Sequence, residues 1–174
     1  MTVYKAEVGQ DPIIIIRNVS FLSNEKYTGK MHSAIIALYY TNNVTFTDCK
    51  FHGNRGTAIG AYQSTFYMNG YNSFVNNSAT EGGAVALLDN SYMFILNNAE
   101  ILFLNNYADN VGGVIFVHNV PAFDFLFYVL INCSVMLLSN DDYRGLTTNI
   151  TLIFTNNTGR DGGDVIYGMN LHIC

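Results

Sequence analysis

The chain has no tryptophan, two prolines, three cysteines and few charges: Asp, Glu, Lys and Arg make up 12% of its 174 residues. An ordinary domain carries about 25% charged residues. Such a poor charge content, beside 49% hydrophobic residues, excludes a disordered solvating segment. Cations are scarcest: 8 Lys plus Arg face 13 Asp plus Glu, for a formal net charge of −5. Nucleic acid is therefore excluded as a partner, because neutralising phosphates takes clustered cations. No apolar run keeps a 3.6-residue period long enough for a helix. The most apolar stretch, 123–138, is broken by Asp124, Asn132, Cys133 and Ser134. It falls short of the roughly 18 uninterrupted apolar residues of a membrane helix, and reads as two buried strands with a turn at Asn132. Cys49, Cys133 and Cys174 show no C-x-x-C spacing, so no zinc site is expected. Neither a cofactor nor a metal is expected.

What the chain has in excess is Asn (22), with 15 Gly, 12 Phe and 12 Tyr. The pattern Phe-x-x-Asn recurs at Phe21–Asn24, Phe51–Asn54, Phe74–Asn77, Phe103–Asn106 and Phe154–Asn157, with successive spacings of 30, 23, 29 and 51 residues. The last spacing is close to two repeats, and a degenerate copy, Leu137-Leu138-Ser139-Asn140, sits inside it. A pair of small residues and a short apolar run follow each copy: Ser33-Ala34-Ile35-Ile36, Thr57-Ala58-Ile59, Gly82-Gly83-Ala84-Val85, Gly112-Gly113-Val114-Ile115 and Gly162-Gly163-Asp164-Val165-Ile166. A third strand-like run precedes most copies, as at Asn43–Phe46, Tyr92–Leu96 and Ile150–Ile153.

Three short strands per repeat of this length predict an all-β solenoid, a right-handed parallel β-helix of five or six coils spanning 1–174 as one repeat domain. Each strand then stacks on its own copy about 4.8 Å away. The expected core ladder is Phe21, Phe51, Phe74, Phe103 and Phe154, with one further coil between Phe103 and Phe154. Asn24, Asn54, Asn77, Asn106 and Asn157 are expected to close turns, because Asn tolerates the left-handed region and its amide can bond the rungs above and below.

Phe-x-x-Asn followed by Gly-Gly-Ala/Val-Ile resembles the repeat pair of the chlamydial polymorphic membrane proteins. It stands here as Phe74-Val75-Asn76-Asn77 with Gly82-Gly83-Ala84-Val85, and as Phe103-Leu104-Asn105-Asn106 with Gly112-Gly113-Val114-Ile115. Similar repeats occur in large secreted proteins of simple animals, whose recurring segments Gly162-Gly163-Asp164-Val165-Ile166-Tyr167-Gly168 also resembles. The resemblance spans about 20–170, most weakly over 118–148. It implies a right-handed β-helix passenger of an autotransported adhesin, and it brings no catalytic residue. Thr57-Ala58 and Ser33-Ala34 depart from the Gly-Gly pattern, and no translocator barrel follows.

Asn-x-Ser/Thr occurs at Asn18, Asn43, Asn76, Asn132, Asn149 and Asn156, more often than the Asn and Ser/Thr frequencies give by chance. These are candidate N-glycosylation sites of an ectodomain; turn chemistry imposed by the repeat explains them equally well. Cys49 and Cys133 each precede an expected inward position by two residues, Phe51 and Val135, and read as small core residues. A β-helix enzyme acting on polysaccharide needs clustered carboxylates with Arg or Lys, or calcium. The best cluster is Asp141-Asp142-Tyr143-Arg144, with Asp161 and Asp164, all in turns where solvated acids are ordinary. His32, His52, His118 and His172 have no metal-like or triad-like spacing.

The expected function is thus non-catalytic: a structural or adhesive repeat segment of an extracellular or cell-surface protein (outer membrane if bacterial), presenting a β-helix face to protein or glycan ligands. The alternatives are a β-helix carbohydrate-active enzyme and a gene fragment without independent function. The polar opening Met1–Lys5 is no ordinary signal peptide, and the run Val165–Cys174 is apolar to its end. Both ends read as cut from a longer solenoid, with any membrane contact supplied by the rest of the parent. An uncapped edge of this kind predicts self-association.

Overall fold

The computed structural model describes residues 1–4, 13–25, 34–96, 98–118, 135–137 and 150–169. Their short strands wind in a repeating order through three sheets. Sheet A stacks β1 (Thr2–Tyr4), β4 (Ala34–Tyr39), β7 (Thr57–Tyr62), β11 (Val85–Leu88), β15 (Ile115–His118) and β19 (Ile166–Met169). Sheet B stacks β2 (Ile14–Arg17), β5 (Val44–Thr47), β8 (Thr65–Asn69), β12 (Tyr92–Ile95) and β16 (Val135–Leu137). Sheet C stacks β3 (Ser20–Leu22), β6 (Lys50–His52), β9 (Tyr71–Val75), β13 (Glu100–Leu104) and β17 (Thr151–Thr155). A narrow sheet of β10 (Ser78–Ala79), β14 (Tyr107–Ala108) and β18 (Thr158–Gly159) spans the corner from C back to A. Every pairing among the described strands is parallel and joins each strand to its counterpart one coil away. This is a parallel β-helix of five stacked rungs, with β1 adding a further strand to sheet A.

Alternation within each strand fills the interior. Ile36, Leu38, Ile59, Val85, Leu87 and Val117 point inward from sheet A, Phe46, Phe66, Met68 and Met93 from sheet B, and Phe51, Phe74, Ile101 and Phe103 from sheet C, all in one buried cluster. Cys49 is buried among them. Its sulfur lies 3.3 Å from the Ile16 carbonyl and 3.4 Å from that of Thr47. Burial pushes the thiol up from its ordinary range, against the lowering effect of backbone hydrogen bonds from Val19 and Thr47.

Sharp corners join the sheets, and left-handed residues make them. Asn18, Asp48, Gly70 and Asn98 turn the chain from B to C. Tyr40, Gln63 and Asn90 turn it from A to B. Ser23, Gly53, Asn76, Asn105 and Asn156, all with φ between 50° and 63°, turn it out of sheet C.

The structure corrects two alignments. No coil lies between Phe103 and Phe154: β13 pairs with β17 in direct register, Phe103 opposite Phe154. The long spacing is one enlarged coil, and it contributes β16 to sheet B. Leu137 is therefore not a copy of the Phe position; it sits in sheet B opposite Ile95. Leu138, Ser139 and Asn140 lie outside the described residues. The small-residue pairs also shift. Ile115 faces Ile166 and Val111 bridges to Gly162, which places Gly163 and Asp164 opposite Gly112 and Gly113. Ile59 faces Val85, so Thr57-Ala58 stands opposite Gly83-Ala84, one residue later than the Gly-Gly pair. At Gly113 itself the neighbouring coil leaves no room for a side chain, since a Cβ there would run into the Asp164 carbonyl oxygen, whereas Thr57 and Asp164 occupy the same column in other coils.

Candidate contact surface

The recurrent Phe and Asn form two ladders at one edge of sheet C. Phe21, Phe51, Phe74, Phe103 and Phe154 stack face to face, with centroid separations of 4.9, 4.7, 5.0 and 5.1 Å and interplanar angles of 17° or less. Phe51, Phe74 and Phe103 are buried, while Phe21 and Phe154 are partly exposed. Three residues on, Asn54 Oδ1 accepts from both the backbone N–H and the side-chain amide of Asn24, at 3.0 and 2.9 Å. Asn77 repeats this for Asn54, Asn106 for Asn77, and Asn157 for Asn106. The second amide hydrogen of each Asn donates back one rung to a Phe carbonyl: Asn54 to Phe21, Asn77 to Phe51, Asn106 to Phe74 and Asn157 to Phe103. A buried amide so placed uses both its donors and its oxygen, which is why burying it is tolerable. Left-handed geometry and ladder bonding are separate duties here. The residue before the ladder Asn supplies the first, which gives the Asn-Asn pairs of three rungs.

A second ladder carried no repeat signal in the sequence. Thr41 N–H donates to Ser64 Oγ at 3.0 Å and Ser64 N–H to Ser91 Oγ at 3.2 Å. The hydroxyls donate in turn to the carbonyls of Tyr62 and Leu88. At the B-to-C corner Asn72 Oδ1 accepts from Cys49 N–H at 3.0 Å.

Three of the sequon asparagines stand at the surface of corners. Asn18, Asn76 and Asn156 are exposed and left-handed, and Asn43 is half-buried just before β5. Asn132 and Asn149 lie outside the described residues, as do Cys133, Cys174, His32, His172 and the Asp141-Asp142-Tyr143-Arg144 cluster. Asp161 is exposed, and Asp164 accepts a hydrogen bond from Gly159 N–H at 3.2 Å. His52 Nε2 lies 2.8 Å from Ser73 Oγ. Burial, then the nearby Lys50 charge, lowers its pKa from the usual 6.5. His118 lies against the Phe116 ring. Among the described residues no group of three His, Cys, Asp or Glu is placed to hold a metal ion, and no helix is long and apolar enough to cross a membrane.

The outer side of sheet A carries an apolar strip of small and aromatic residues. Ala37, Gly60 and Ala86 stand in register along it, and a Cβ on Gly60 would meet that of Ala34 at 2.7 Å. Tyr39, Tyr62 and Leu88 form the next column. Together they line a shallow groove that is open to solvent. Tyr40 packs edge-on against Tyr62 at 5.6 Å, and Tyr39 lies 6.1 Å from it. A hydrogen bond to Asp89, reinforced by its charge, raises the Tyr62 phenol above its usual range, so the ring presents a neutral hydroxyl beside a carboxylate. Aromatic faces next to a polar handle suit both sugar rings and peptide.

Comparison with known proteins bears on the C-strand and small-residue motifs directly. Residues 100–118 match the Chlamydia polymorphic membrane protein repeat. This stretch runs from β13 through Asn106 and Gly112-Gly113 to the end of β15, so the repeat is the C-to-A corner just described. It is the repeat of a β-helix family of surface proteins. No curated protein and no solved structure matches the chain.

Proposed function

We propose that the chain is a non-catalytic structural and adhesive segment of a secreted or cell-surface protein, which offers the outer face of its β-helix to a protein or glycan ligand. The observation that carries this reading is the groove on sheet A. Its floor of Ala37, Gly60 and Ala86 lets a ligand approach the backbone, and its wall of Tyr39 and Tyr62 supplies stacking area and phenol hydroxyls. The surface-protein repeat over 100–118 supports the same compartment. Exposed sequons at Asn18, Asn76 and Asn156 are compatible with glycosylation there.

Binding to an immobilised glycan panel and to intact epithelial cells tests the reading, with Tyr62→Ala and Tyr39→Ala as variants. Each removes one face of the stacking wall. Both should lower binding at least about tenfold, the equivalent of roughly 1.4 kcal/mol, while circular dichroism stays unchanged. Equal binding by the unmodified chain and both variants would remove the groove from consideration. Release of reducing or unsaturated ends from polygalacturonate would instead favour a β-helix enzyme.

A further inference from the structure

Two duties compete to explain Asn-x-Ser/Thr at the corners: turn geometry and attachment of a glycan. The columns of the solenoid separate them. At the corner leaving sheet C, the left-handed place is filled rung by rung by Ser23, Gly53, Asn76, Asn105 and Asn156. The place two residues on is filled by Glu25, Arg55, Ser78, Tyr107 and Thr158, which stand in register. The corner keeps one backbone shape through all five rungs. It therefore demands neither an Asn at the first place nor a hydroxyl at the second. The Ser78 and Thr158 hydroxyls bond no other described residue, and neither do the Asn76 and Asn156 amides. Ladder bonding falls instead to Asn77 and Asn157, the residues between. Turn chemistry thus gives no reason for Asn and Ser/Thr to coincide on these two rungs. The corner from B to C repeats the lesson: Asp48 has the same φ of 54° as Asn18, and Lys50 stands opposite Ser20. Asn18, Asn76 and Asn156 are all exposed, as a bulky modification requires.

We propose that Asn18, Asn76 and Asn156 carry N-linked glycans. This rests on the secreted or cell-surface reading above, which supplies the modifying route. Nδ2 of each Asn attacks C1 of a lipid diphosphate-linked oligosaccharide. The N–C1 bond forms as the C1–O bond breaks, the lipid diphosphate leaves with the electron pair, and the amide gives up one proton to the transferase. The hydroxyl two residues on completes the acceptor motif. Asn76 and Asn156 lie two rungs apart in one column, about 10 Å at two strand spacings. On the rung between them Asn105 is left-handed too, but Tyr107 stands where a hydroxyl would complete the motif. Glycans on adjacent rungs, only about 4.8 Å apart, are thereby avoided. Both modified positions lie toward the start of the sheet A strands, whereas Tyr39, Tyr62 and Leu88 end those strands. The groove on sheet A therefore stays uncovered.

Secretion of the chain from cultured animal cells behind a signal peptide tests this. Enzymatic removal of N-glycans in heavy-oxygen water leaves a mass mark on each asparagine that carried one, read by peptide mass spectrometry. The mark should appear at Asn18, Asn76 and Asn156. Ser78→Ala should abolish it at Asn76 alone, and Thr158→Val at Asn156 alone. A second arm makes the same two variants without glycans in bacteria. Their urea midpoints should match that of the unmodified chain, because neither hydroxyl serves the corner. Secreted, folded chain lacking the mark at any of the three asparagines would overturn the proposal. So would a lowered urea midpoint in either variant, since the hydroxyl would then have a structural duty. The assay itself supplies the secretory route, so such a failure falls on these sites and leaves the sheet A groove to its own binding test.

Discussion

Phe74 and Phe21 are the same residue in the same motif on the same sheet, yet one is buried with a ring on either side and the other is partly exposed with a ring on one side. The same holds for Asn77, buried and bonded to the rungs above and below, against Asn24, exposed and bonded to one rung. The difference teaches that a residue's worth in this fold is set by how many rungs cover it, not by its type. In a solenoid each repeat is stabilised chiefly by its neighbours.

The largest break in that comparison should come from Asn77→Ala. It strands the Phe51 carbonyl and the Asn54 N–H and amide, while Asn106 Oδ1 keeps the Asn77 N–H as a donor. Each buried group costs about 1–3 kcal/mol, so a loss of about 4 kcal/mol or more is expected in urea unfolding. Asn24→Ala should cost about 1 kcal/mol, because Asn54 Oδ1 keeps the Asn24 N–H as a donor. Equal losses would mean that the ladder contributes locally rather than between rungs. Next comes Phe74→Ala, at about 3–5 kcal/mol for a buried ring. Phe21→Ala should lose clearly less, as should exposed Tyr107→Ala.

Ser64→Ala, in the hydroxyl ladder, should cost about 1–3 kcal/mol by leaving the Thr41 N–H unbonded; thermal melts that match the unmodified chain would show that the N–H finds another acceptor. The smallest effect concerns His52. Its folded pKa is depressed below the usual 6.5, so the unfolded chain takes up the proton first as pH falls. Its contribution is thus present above pH 6.5 and lost on acidification through the lower, folded value. His52→Gln should flatten that part of the stability profile, measured by urea melts at several pH values.

The legible part of this architecture was the part with constant spacing. Phe and Asn stand three residues apart in all five copies because they bracket one invariant corner, with a left-handed residue always between. The hydroxyl ladder was not legible for the converse reason. Thr41 and Ser64 follow their sheet A strands by two residues and Ser91 by three, so no fixed pattern repeats. Nor could the groove be seen in advance, since Ala37, Gly60 and Ala86 are unremarkable residues until register aligns them.

The sequence by itself determined that the chain would stack as a parallel β-helix, since only lateral repetition lets the same Phe and Asn meet their own copies and bury a ring and an amide together. Tertiary structure decided how many coils that takes. The stretch between Phe103 and Phe154 holds enough residues for two coils, and the pairing of β13 with β17 makes it one. The physical reason is that a rung is defined by hydrogen-bonded register and ring contact, both about 5 Å in reach, whereas the length of chain spent between two rungs is unconstrained so long as it returns to the same edge.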